Sequence, residues 1–326
     1  MLRRENVGRL VQIEGGQVTR PRTPLGSWAL QTTRRCASRS PIGHELAEVA
    51  WESGRRCYGA LMGLTEAERA ALRQMLDTAD DLDRWRLRAQ RVEVPERGSE
   101  LDVDDAIFQR IAISQLSRMS LVTAGEHLRL ALDAIKARQV YPSSHFTVLR
   151  GALVGASQAV WILGPQDGHV RRERGLTVVT EMYAQMGKYY GFLDSTNLAA
   201  NDRLDLTDQR MWLSERRQEV ASLRKAKAEL NLTEVIGAAA DCAFAEATSR
   251  DAVRRMWREM SADAHILGWS LFQRTTFGPA DRRTGVGEGK APGSLEHVAE
   301  PFLASYRLLR HGWSLFDRRC EEPRAS

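Results

Sequence analysis

Val253-Arg-Arg-Met-Trp257-Arg-Glu-Met-Ser261-Ala-Asp-Ala-His265-Ile-Leu-Gly-Trp-Ser-Leu271 is the stretch that decides the fold class. Its apolar residues Val253, Trp257, Met260, Ala264, Leu267 and Leu271 recur every three or four positions, the period of a helix with one packed face. Ser249 reads as its N-cap, with Asp251 in the first turn. Beside the apolar stripe runs a second one, Arg254, Arg258, Ser261 and His265, displaced by one residue and so by about 100°. That places it on the shoulder between core and solvent. Arg258 and His265 fall about two turns apart on nearly one face.

The same periodicity extends in both directions along the chain. Val298, Phe302, Tyr306, Leu309, Trp313 and Phe316 predict a long last helix. Thr65-x-x-Glu68 is a capping box ahead of Leu72, Met75, Leu76, Ala79 and Leu82. A long helix is expected over 104–138, with Phe108, Ala112, Leu116, Met119 and Val122 on one side and Tyr141-Pro142 ending it. Two more helices are expected over 143–163 and 168–192, and a densely charged one over 207–230 carries only Leu213, Val220, Leu223 and Leu230. No alternating pattern of strand length appears. The expected fold is all-α, a helical bundle with a disordered basic N-terminal tail. Its expected parts are the tail at 1–41, a helical segment at 42–100, and the main bundle at 101–320 with a Gly/Pro-rich loop at 275–293.

Charge is unevenly placed. The chain of 326 residues has a net charge of +5, yet residues 1–42 alone hold eight arginines against two glutamates, so the remainder is close to neutral. A pI of 9.2 is therefore poor evidence for a basic surface on the folded part. Arginine supplies 42 of the 47 basic residues, which fits either phosphate recognition or GC-rich coding. Cys36, Cys57, Cys242 and Cys320 are far apart with no CxxC, which predicts reduced thiols and no structural zinc. The apolar run Phe146–Leu163 is interrupted by Arg150 and Gln158 and is rich in small residues. It reads as a core helix rather than a membrane span, so a cytoplasmic protein with no membrane contact is expected. Gly285-Val-Gly287-Glu-Gly289-Lys290 lacks the residues and the preceding strand of a phosphate-binding loop.

Arg258 and His265 carry the chemistry the sequence offers. A permanent cation beside a group that titrates near neutrality can cleave an RNA phosphodiester, with His265 as general base and Arg258 stabilising the phosphorane. The pair asks for no metal and no cofactor. From spacing alone the ordinary role of such residues is to hold helices together, with His265 hydrogen-bonded to a neighbour and Arg258 paired with an acid. Arg150, inside an apolar helix, demands a partner: a structural ion pair, or a phosphate at the site. His127 is open to the same two readings.

Arg258-x6-His265 fits the permissive arginine–histidine motif of the HEPN superfamily. Residues 103–275 resemble uncharacterised bacterial proteins of that kind through His127-Leu128, Thr147-Val-Leu-Arg-Gly-Ala-Leu153, Val170-Arg-Arg-Glu-Arg174 and the Trp257–His265 segment. The chain departs from the active toxins at Glu259, where Asn, Asp or His is common, and at Val154, where a glutamate is frequent. The resemblance implies a helical bundle that acts on RNA, with Arg258 and His265 catalytic and Arg254, Ser261, Arg150 and His127 against the substrate. It further implies a homodimer, an antitoxin partner, and a setting in phage defence. A non-catalytic helical interaction protein is the alternative, followed by a small-molecule-binding helical regulator.

Overall fold

Helix α1 (Glu66–Leu76) begins on the expected capping box: Thr65 accepts from the Glu68 amide, and Glu68 closes back on the Thr65 amide. The structure is a computed structural model. It describes residues 64–285, 287–291 and 293–321, so the basic tail at 1–41 lies outside the described residues. Helix α2 (Ala79–Ala89) follows, then the short α3 (Glu100–Asp105), α4 (Ile113–Lys136), α5 (Ser144–Leu163), α6 (Gly168–Asp194) and α7 (Ala200–Leu223). Helices α8 (Leu232–Ala243), α9 (Ala247–Ala264), α10 (Trp269–Gln273) and α11 (Leu295–Cys320) complete an all-α bundle. The loop before α11 carries a minimal antiparallel pair, β1 (Thr276–Phe277) with β2 (Gly289–Lys290).

Helix α5 is the hub, packed against α4, α6, α8, α9 and α11. Its run of alanines (Ala152, Ala156, Ala159) is fully enclosed, and small side chains are what let neighbours approach closely. At Gly155 the approach is so tight that a Cβ would meet the Ser120 carbonyl at 2.7 Å. Gln158, which interrupts the apolar pattern, donates to Ser120 Oγ at 2.8 Å. Among the described residues α5 is the one helix long and apolar enough to cross a membrane by length and composition, and just over half of its apolar window is buried.

The single helix expected over 104–138 is two. Asp105 ends α3 and reaches forward, accepting from the Ser114 amide at 2.8 Å and from its hydroxyl at 2.6 Å. That carboxylate satisfies the first turn of α4, so Phe108 is buried in a turn and Ala112 becomes the N-cap. Helix α7 begins earlier and ends earlier than the expected 207–230. Its heptad-spaced Leu206, Leu213 and Val220 pack along α6, so it runs along one edge of the bundle. No helix is expected over the span of α8, although Val235, Ile236, Ala239 and Ala240 recur at helical spacing and form its buried face.

Segment 64–100 joins the bundle directly, with α1 on α11 and α2 on α4. Below α3 lies a knot of buried charge. Arg171 pairs with Asp104 at 2.6 Å and with Glu100 at 2.7 Å, while Arg319 pairs with Glu100 and donates to the Leu163 and Pro165 carbonyls at the end of α5. The knot ties α3, α5, α6 and α11 together, and removing one member would strand another without a counter-charge.

Candidate functional site

Helix α9 starts at Ala247, two residues earlier than the expected Ser249 cap, and stops at Ala264. The amide of Leu267 bonds the Ala262 carbonyl at 2.9 Å, and that of Ile266 bonds the Asp263 carbonyl at 3.1 Å. This is a Schellman ending with His265 as C-cap and Ile266 as the left-handed residue, at φ 56°. A β-branched residue pays steric strain there, so its type gave no warning of a helix end. Asp263 explains the stop. It is buried, accepts from Ser143 Oγ at 3.1 Å, and pairs with Arg274, which returns from beyond α10, at 2.5 Å. The core stripe accordingly ends at Met260 and Ala264, and Leu267 is 64% exposed.

As C-cap, His265 still closes a helical hydrogen bond, its amide bonding the Ser261 carbonyl at 3.0 Å. It therefore stays on the Arg258/Ser261 face one turn beyond Ser261. Its ring is exposed and has no partner among the described residues. Arg258 is exposed too, and among the described residues it makes no ion pair or hydrogen bond. The other arginines of α9 are neutralised: Arg250 by Asp241, Arg254 by Asp241 at 2.6 Å and Asp251 at 3.3 Å, and Arg255 by Glu259 and Glu300. Arg254 is thereby turned toward α8, away from the Ser261 face.

Arg150 does not form the expected ion pair. Its guanidinium lies 4.7 Å over the Trp257 ring and donates to Ser261 Oγ at 3.2 Å. A cation–π contact and a hydroxyl satisfy part of the group without cancelling its charge. Trp257 is held from the other side, where its Nε1 donates to Thr233 Oγ1 at 3.3 Å. His127 is bonded through Nδ1 to the Thr123 carbonyl at 2.8 Å, and its Nε2 edge packs on Gly151, where a Cβ would come within 2.5 Å. Glycine beside Arg150 thus makes room for His127. Arg150, Ser261 and Trp257 come together, His127 abuts the next residue of α5, and Arg258 and His265 flank Ser261 along α9.

Two hollows in the fold lie away from this face. One, about 540 Å³, lies between α6 and α7 beside Gly187, Arg210, Leu213 and Arg217; the other, about 370 Å³, lies over the Glu100/Asp104/Arg171 knot. The pair occupies an open shoulder of the single chain.

One juxtaposition has no local sequence signal: Cys242 Sγ lies 3.6 Å from His311 Nε2, across α8 and α11. Burial pushes the Cys242 thiol up and the His311 imidazole down. Both are held neutral, the opposite of a thiolate–imidazolium nucleophile. Among the described residues no group of three or more His, Cys, Asp and Glu is placed to hold a metal ion. Comparison with known proteins found no matching family model, no matching curated protein and no matching solved structure.

Proposed function

We propose that this chain is a HEPN-like ribonuclease that cleaves RNA at the Arg258/His265 shoulder with groups supplied by the protein itself. One observation carries the reading. On a helix whose other arginines are all paired with carboxylates, Arg258 is left free, two turns before an exposed histidine and within a turn of a second arginine that also lacks a carboxylate partner. Two uncancelled guanidinium groups flanking a serine hydroxyl suit a phosphodiester. His265 would take the proton from a ribose 2′-hydroxyl as the oxygen attacks the adjacent phosphorus. The bond to the 5′-oxygen breaks, that oxygen takes up a proton, and the products end in 2′,3′-cyclic phosphate and 5′-hydroxyl. Arg258 would hold the charge of the phosphorane, and Arg150, through Ser261 and Trp257, would position it.

The open shoulder fits a site completed by a second copy, as the resemblance implies for such proteins. Phage defence and an antitoxin partner belong to the same reading. A helical interaction protein is favoured instead by the open face itself, which lacks the enclosed pocket of a small-molecule enzyme. Wild type, Arg258→Ala and His265→Ala incubated with structured RNA and tRNA in EDTA decide between them. Cleavage by wild type, reduced about 100-fold or more in each variant at unchanged melting temperature, supports the enzyme. Equal behaviour of all three sinks it.

A further inference from the structure

The turn that ends α9 opens a run of exposed apolar side chains. Ile266 is 90% exposed, Leu267 64%, Phe272 62%, Phe277 58% and Trp269 40%, all within a dozen residues. Phe272 and Phe277 touch, with ring centroids 6.2 Å apart, which joins the exposed side chains of α10 to β1. It is also held in place. Arg274 stacks 3.8 Å over Phe146 of α5 and pairs with Asp263, pinning the far end of the segment to the bundle. The apolar side chains therefore stand outward on a braced turn, and the most exposed of them occupies the strained left-handed position. A surface that spends backbone strain to present an isoleucine to water needs an occupant.

Charge identifies the occupant. Arg282 and Arg283 lie on the loop joining β1 to β2, Lys290 is in β2, and none of them makes an ion pair among the described residues. Asp281, whose carboxylate accepts from the amides of Arg283 and Thr284, and Glu288 are the acids of that loop, so residues 278–290 carry three cations against two carboxylates. Aliphatic side chains at the tip, a tryptophan at the margin and free arginines and lysine around them are the composition of a segment that enters a headgroup layer. Base stacking on nucleic acid uses flat aromatic faces, yet the two most exposed residues are aliphatic.

We infer that residues 266–285 and 287–290 form an interfacial anchor that docks this protein onto an anionic lipid surface. The sequence argued against membrane contact by the lack of a spanning segment, and surface attachment needs none. The inference stands apart from the proposed RNA chemistry.

The test is flotation of the full chain with vesicles of phosphatidylcholine, with and without phosphatidylserine. Wild type is expected to float with the phosphatidylserine vesicles and to be released by high salt. Leu267→Ser and Phe272→Ser each cut the bound fraction about tenfold. Arg282→Ser with Arg283→Ser cuts it by a similar factor on the anionic vesicles alone. Ile266→Asn keeps a residue that accepts left-handed backbone, so its loss of binding at undiminished melting temperature cannot be blamed on misfolding. Wild type that stays with the unbound protein, or variants that float as well as it does, overturns the inference. So does loss of single-stranded RNA binding in these variants while vesicle binding is unchanged, which would assign the patch to nucleic acid.

Discussion

Replacing Ile266 by glycine asks whether α9 ends where the structure ends it. In the left-handed position at φ 56° a residue with a Cβ costs about 1–2 kcal/mol. Glycine abolishes that cost but loses about 0.5–1 kcal/mol through the greater freedom of its unfolded chain. Almost no burial is forfeited, because Ile266 is 90% exposed. The net is a stabilisation of about 0.5–1 kcal/mol, and roughly 1 kcal/mol for Ile266→Asn, which avoids most of the entropic loss. For a chain of this size 1 kcal/mol corresponds to about 1.5–2 °C in melting temperature. If instead the regular stripe carried the helix through to Leu271, Ile266→Gly would place glycine mid-helix and destabilise by about 0.5 kcal/mol. The sign alone decides. Thermal unfolding by circular dichroism, with urea titration to confirm that the slope is unchanged, measures it. A lowered melting temperature in both variants would refute the helix ending and, with it, the placing of His265 at a C-cap.

Asp263→Ala should cost about 3–5 kcal/mol, because it leaves the nearly enclosed Arg274 without its counter-charge. Adding Arg274→Met should recover most of that loss, and a double-mutant urea series checks it. Stability should also fall in mild acid. Burial lowers the pKa of His145 and of His311 below the ordinary value of 6.5, so between the folded and unfolded values the unfolded chain binds more protons. Their contribution is therefore complete above about pH 6.5 and is lost as pH falls through the folded values. The urea midpoint should drop between neutral pH and about 5, and His145→Asn, whose carbonyl can still accept from the Tyr141 amide, should flatten the drop.

Much of the bundle was legible wherever one signal dominated. The Thr65 capping box, the alanine-rich stripe of α5 and the regular face of α11 each formed the expected element, because local pattern and tertiary burial agree there. The failures share a cause. Asp105 capping α4 from nine residues away, and Asp263 pinning the end of α9 through Arg274, are side chains that act on backbone or charge at a distance, which no periodicity encodes. Left-handed Ile266 had no glycine to announce it. At the site, sequence placed Arg258, Ser261 and His265 on one shoulder, since helical spacing suffices for that. It could not foresee Arg150 resting on Trp257, nor Arg254 captured by Asp241, because both are contacts between different helices, whose relative placement spacing within one helix does not encode.

The central claim is that His265 and Arg258 cleave RNA through the 2′-hydroxyl. Mass spectrometry of the ends produced by wild type in EDTA, from one oligoribonucleotide and from its counterpart with 2′-deoxyribose at the cleaved position, tests it most directly. The account predicts 2′,3′-cyclic phosphate and 5′-hydroxyl ends from the first and an intact second strand, with both products lost in His265→Ala. Cleavage of the deoxy-substituted strand, 3′-hydroxyl ends, or undiminished cyclic phosphate from His265→Ala would contradict it.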